Sequence, residues 1–145
     1  MHVCNANTLS SMSKEFIDTT SKERFKNYIW DKSIEVKTNT LDNMIEKYGN
    51  PDYIKIDVEG YELQVLKGLT LPFKLISIEF TPELKHNTIA CIEYLETNRT
   101  LLYNYKSQEQ NEYKFNWISK QDIIFFIDSV KDYKIEFGDI YIKSI

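Results

Sequence analysis

Between residues 33 and 106, short runs of branched and aliphatic residues alternate four times with stretches of helical period, and that order constrains the fold more than anything else in the chain. SIEVKTNT sets Ile34, Val36 and Thr38 apart by polar residues, the period-2 pattern of a half-buried strand. LDNMIEKYG spaces Leu41, Met44, Ile45 and Tyr48 for one helix face and closes on Gly49. YIKID follows as a strand with Ile54 and Ile56, and YELQVLKGL as a helix packing Leu63, Leu66 and Leu69 beside Val65, with Gly68 near its end and Pro72 beyond it. KLISIEF at 74–80 reads as a strand, TPELKHNTIACIEYLETN as a helix and LLYNYK as another strand. Strands alternating with helices predict an α/β domain whose mostly parallel sheet is covered by helices.

The flanks are less regular. The first 20 residues are polar and predict a loop or arm; residues 21–32 suggest a short helix, and 1–33 together an N-terminal arm or linker before a domain at 34–145. YKFNW at 113–117 suggests a further strand. SKQDIIFFIDSV predicts a helix capped by Ser119 with Asp122 at the capping-box position, and DIYIKSI a last strand, an antiparallel edge of the kind mixed sheets carry.

Composition narrows the function classes. The 145 residues carry a net charge of −4 with no basic block, which argues against a general nucleic-acid or anionic-membrane surface. Two cysteines, Cys4 and Cys91, make neither a disulfide framework nor a metal cluster, and Cys91 reads as a core residue. No 18-residue apolar run and no signal peptide is visible, so a cytoplasmic setting is the expectation, and the sequon NRT at 98–100 is expected to be fortuitous. No serine sits in a G-x-S-x-G elbow.

The chemistry concentrates where YIKID hands over to YELQVLKGL. Ligands of open α/β sheets bind outside the carboxyl ends of the strands. Asp57 ends one strand there and Glu79 nearly ends the next, so neighbouring strands would turn both toward one cleft. Such a pair can position a hydroxyl, act as general base or hold a divalent cation. Gly60 allows a tight turn. Glu59 and Glu62 flank the next helix start, where a carboxylate can equally serve as a cap or dipole partner. His86, one of two histidines, is either a solvated helix position or a proton-transfer group. An acid pair across a sugar site would instead make a glycosidase.

The stretch VKTNTLDNMIEKYGNPDYIKIDVEGYELQVLKGL resembles the FkbM family of methyltransferases: TLD, the strand end IKIDVEG, YE and VLKG stand in that family's order and spacing. LISIEF, Trp117 and GDIYIK extend the likeness, and NTLSS is similar to the linker preceding this region in members. The resemblance implies a class I methyltransferase (Rossmann-like) fold with a seven-stranded sheet and S-adenosylmethionine as methyl donor. It implies a sugar, polyketide or related hydroxyl as acceptor. On it the strand ending at Asp57 is the fourth and that ending near Glu79 the fifth. Asp57, Glu79 and His86 become the catalytic candidates and Asp57 and Glu59 cofactor contacts; no metal ligand is assigned. The departure from the pattern is a D-x-G-A-x-x-G turn and a following strand ending in Glu: neither is present, and the glycines are Gly49, Gly60, Gly68 and Gly138 alone. The expectation is therefore an N-terminally incomplete domain with a raw sheet edge, open to a partner chain or a second copy. A non-catalytic chain that binds through that edge is the alternative to an enzyme.

Overall fold

The computed structural model describes residues 1–97, 99–108, 112–131 and 137–145. The sequon's Asn98 lies outside the described residues. The chain opens with strand β1 (His2–Val3) and helix α1 (Lys14–Thr20), then β2 (Lys32–Ser33), which pairs antiparallel with β1. There follow α2 (Leu41–Tyr48), β3 (Ile54–Ile56), α3 (Glu62–Leu66), β4 (Leu75–Phe80), α4 (Lys85–Glu96), β5 (Leu101–Ser107), α5 (Lys120–Ser129) and β6 (Gly138–Ser144). Hydroxyl caps fix three helix starts: Ser13 accepts from the Phe16 amide, Thr40 from that of Asn43 and Ser119 from that of Asp122. The predicted Ser119 cap is thus present, and its own hydroxyl donates to Asp122 Oδ2 at 2.7 Å.

Four strands form the main sheet in the order β3-β4-β6-β5. β3 and β4 are parallel, setting Ile54 beside Ile76 and Ile56 beside Ile78. β6 runs antiparallel to both of its neighbours. The sheet is therefore mixed, which corrects the mostly parallel sheet expected from the alternation of elements. The last strand is not an edge either; it sits between β4 and β5. Gly138 makes that insertion possible, since a Cβ there would lie 2.2 Å from the Lys106 carbonyl oxygen of β5.

Alternation along the strands splits the sheet into two faces. Ile76, Ile78, Phe80, Ile140, Ile142 and Tyr103 are fully buried on one of them. They form a common core with Cys91, Ile92 and Leu95 of α4 and Ile123 and Ile127 of α5. Each fully buried aliphatic side chain contributes roughly 1.5–3 kcal/mol. The other face carries Tyr53, Lys55, Ser77, Asp139 and Tyr141. Tyr53 meets Ser77 oxygen to oxygen at 2.6 Å and stacks on Tyr141 at 6.3 Å, and Lys55 donates to Asp139 at 2.8 Å.

Departures from the expected elements cluster at the flanks. The first 20 residues are an ordered unit: Trp30 Nε1 donates to the Leu9 carbonyl at 2.7 Å, the Asn5 amide to that of Ile29, and Phe16 is fully buried. Residues 21–27 form turns rather than a helix. Of the strand expected across SIEVKTNT only Ser33 lies in β2; Ile34 still exchanges two backbone hydrogen bonds with Met1, and residues 35–40 are exposed with no strand beside them among the described residues. YKFNW is no strand; its backbone is taken up by Asn104, whose side chain exchanges two hydrogen bonds with Phe115. Among the described residues no helix is long and apolar enough to cross a membrane.

Candidate functional site

β3 delivers Asp57 to the rim of the sheet, and the chain then makes a turn of unusual backbone. Glu59 has φ +53° and Gly60 φ +84°, two successive residues in the left-handed region. Gly60 is required twice over, since a Cβ there would also come within 2.8 Å of Phe16 Cβ. Four hydrogen bonds hold the turn. Glu62 Oε1 accepts from the Gly60 amide at 3.0 Å and the Val58 amide at 3.4 Å, while Oε2 accepts from Asn87 at 2.8 Å. The Ser11 hydroxyl donates to the Glu59 carbonyl at 2.7 Å. Glu62 is 3% exposed, so burial raises its carboxyl above the usual range while those amide donors pull against the rise. Its work is structural: it fixes the turn that presents Asp57 and Glu59.

Glu79, on the neighbouring β4, comes to the same place. One carboxylate oxygen from each of Asp57, Glu59 and Glu79 lies within 4.8 Å of the others. Burial, reinforced by the Asp57 charge, pushes Glu59 up to about 7. Burial and then the Glu59 and Asp57 charges push Glu79 up to about 8. Glu79 Oε2 is buried and accepts no hydrogen bond from any described residue. Two cations balance the cluster. Lys55 Nζ lies 3.5 Å from Asp57 Oδ2, and the Arg24 guanidinium, paired with Glu83 at 3.2 Å, draws Glu59 and Glu79 down by less than burial and the neighbouring carboxylates raise them.

A cleft of about 750 Å³ opens in front of the turn, with Asp57, Glu59, Tyr61, Thr40, Met44 and Met12 among its lining. That volume is typical of small-molecule sites. Three hard oxygen donors this close are also a set that a divalent cation of the magnesium or calcium type can take.

The structure thus brings together Asp57 and Glu79, as the strand-end argument anticipated, and adds Glu59 to them. It does not bring His86 to them: that side chain lies on α4, pairs with Glu15 of α1 at 2.9 Å, and is 61% exposed. Sequence reasoning missed Ser11 and Arg24, which reach the turn from the N-terminal unit. Neither sits in a pattern that marks it, and only the packing of α1 against the turn after β4 reveals them.

The chain was compared with known proteins. The family model described as "Methyltransferase FkbM domain" matches residues 2–123. No curated protein and no solved structure matches it.

Proposed function

Since the chain belongs to the FkbM methyltransferase family, we propose that it is an S-adenosylmethionine-dependent O-methyltransferase on the class I (Rossmann-like) plan. In this reading β3 and β4 are the fourth and fifth strands of that sheet and the acceptor is a hydroxyl of a sugar, polyketide or related metabolite. The observation that carries the reading is the cluster of Asp57, Glu59 and Glu79 at the ends of β3 and β4, of which Asp57 and Glu59 line a cleft of small-molecule size.

The cleft fits the cofactor in volume and in charge, because Asp57 and Glu59 present acceptors for ribose hydroxyls and a negative field for a cationic sulfur. It offers no glycine-rich backbone cradle, Gly68 being the one glycine in its lining. When bound, the cofactor supplies a methyl group on a positively charged sulfur, ready for attack by an oxygen nucleophile. The residues do the rest. Asp57 accepts the acceptor's hydroxyl proton as a hydrogen bond and aims the oxygen. Glu59, raised to about 7, is matched to neutral pH as the base that removes that proton. Burial and the Asp57 charge favour proton uptake at Glu59, while Glu79, pushed up to about 8, holds its own proton at neutral pH. Alignment of two reactants in a closed site supplies on the order of 7 kcal/mol or more.

The test is transfer of a labelled methyl group from S-adenosylmethionine to a panel of hydroxylated acceptors, with Glu59→Gln as control. Transfer that Glu59→Gln abolishes supports the reading; transfer undiminished in that variant removes Glu59 as base. A second reading is a chain of this fold that binds a partner along the edge of β3 that no described strand covers, and turns nothing over. It predicts a folded protein with neither transfer nor stabilisation by the cofactor.

A further inference from the structure

The peptide group between Glu59 and Gly60 is gripped at both ends. Its carbonyl accepts from the Ser11 hydroxyl at 2.7 Å, and its amide donates to Glu62 Oε1 at 3.0 Å. Turning that peptide over would set its carbonyl oxygen against the Glu62 carboxylate and take the acceptor away from Ser11. The two contacts together therefore select one orientation, the one with Glu59 at φ +53° and Gly60 at φ +84°. A residue other than glycine keeps left-handed backbone only where its surroundings impose it, and such residues gather at functional sites.

The two grips differ in origin. Glu62 belongs to the turn itself, whereas Ser11 comes from the N-terminal unit. Ser11 is fixed in its own right. Its carbonyl accepts from the His2 amide at 2.8 Å and its amide donates to the His2 carbonyl at 3.0 Å. Its hydroxyl oxygen accepts from the Ser13 amide at 2.8 Å, which leaves the proton for the Glu59 carbonyl. The residue is buried, so water is kept from competing for that carbonyl.

What the grip serves is the Glu59 side chain. From this backbone its carboxylate reaches those of Asp57 and Glu79, one oxygen of each lying within 4.8 Å of the others. We propose that Ser11 is a positioning residue of the methyl-transfer site, its hydroxyl holding the 59–60 peptide in the orientation that aims Glu59 at the acceptor's hydroxyl. The inference rests on the reading of Glu59 as the base. It gives the N-terminal unit a part in the reaction, exerted through one backbone carbonyl and without contact with either reactant.

The test joins two readouts on the full chain, at a temperature where every variant is folded. The backbone carbon shifts of Glu59 report its left-handed conformation in the wild type, and Ser11→Ala should move them toward ordinary values. In the same variant kcat for methyl transfer should fall roughly tenfold or more, with KM for the acceptor within about twofold, because small misplacements of a reacting group are costly. Trp30→Phe is the control: it removes the bond to the Leu9 carbonyl within the same N-terminal unit and should leave both kcat and the Glu59 shifts unchanged. Left-handed shifts retained in Ser11→Ala overturn the proposal. So do shifts that move while kcat stays, or a Trp30→Phe variant that loses as much turnover as Ser11→Ala. A wild type that transfers no methyl group overturns the part in the reaction together with the enzyme reading, while the Glu59 shifts still decide by themselves whether Ser11 sets that backbone.

Discussion

Ser11 and Glu59 are joined by a 2.7 Å hydrogen bond from the serine hydroxyl to the glutamate carbonyl, across 48 residues of sequence. Through it the N-terminal unit holds the backbone of the one non-glycine residue with positive φ among those described. Ser11 is 1% exposed, so Ser11→Ala leaves that bond unmade in a dry place. The expected cost is about 1 kcal/mol, read as a melting temperature lower by roughly 2–4 °C. No change in thermal unfolding would show that water replaces the hydroxyl.

Glu62 predicts a larger loss. Glu62→Ala strands the Gly60 amide and the Asn87 side chain, with a cost of about 2–3 kcal/mol. Glu62→Gln keeps one acceptor and should cost distinctly less. Denaturant titration ranks the two variants, and equal losses would remove the anchoring role.

The raised carboxyls give stability a pH dependence with a definite sign. Glu59 and Glu79 ordinarily titrate at 4.5 in the unfolded chain, and in the folded one at about 7 and about 8. Between those values the folded state holds protons that the unfolded state has released. Their contribution is therefore fully present below about pH 4.5 and is lost as pH rises through about 8. Glu79→Gln should flatten that decline and raise the melting temperature at pH 8 by a few degrees. A variant that melts in parallel with the wild type at every pH contradicts the assignment.

On the proposed function, Asp57→Asn should lower turnover sharply while leaving the melting temperature within about 1 °C, because Asp57 is exposed and its 3.5 Å pair with Lys55 contributes little. Saturating S-adenosylmethionine, at about 100 times its dissociation constant, should stabilise the wild type by roughly 2.7 kcal/mol. Calorimetry reads this directly, and no shift in a cooperatively folded chain would remove the cofactor from this cleft.

His86→Ala should change both stability and turnover little, since the His86–Glu15 pair is more than half exposed on both sides. A large loss of turnover would return His86 to the mechanism.

What was legible in the sequence follows from range. α2, β3, α3, β4, α4, β5, α5 and β6 were all visible, because each carries its own period, to which α2 and α5 add a hydroxyl cap. The pair Asp57 and Glu79 was legible for a related reason: a charge at the end of an apolar strand is conspicuous in one dimension, whereas Glu59 joins them only through the turn that follows β3. What lay hidden depends on distant partners. SIEVKTNT has the alternation of a strand, but beyond Ile34 no described strand lies beside it, and alternation states a preference without supplying a neighbour. The N-terminal segment looked like an arm because its order comes from Phe16 packing over Gly60 and from Trp30 reaching Leu9, contacts with no local signature. The antiparallel direction of β6 was anticipated, but its place between β4 and β5 was invisible, being decided by pairing rather than propensity.

That placement of β6 has a consequence for how the molecule comes into being. β4 and β5 do not touch as strands; each is zipped to β6, which follows both in the sequence. On a ribosome, synthesis therefore delivers the halves of the sheet first and the piece that joins them last. The nascent protein waits with an open seam lined by Ile76, Ile78, Tyr103 and Tyr105, and chaperones meet that seam before residues 138–144 close it.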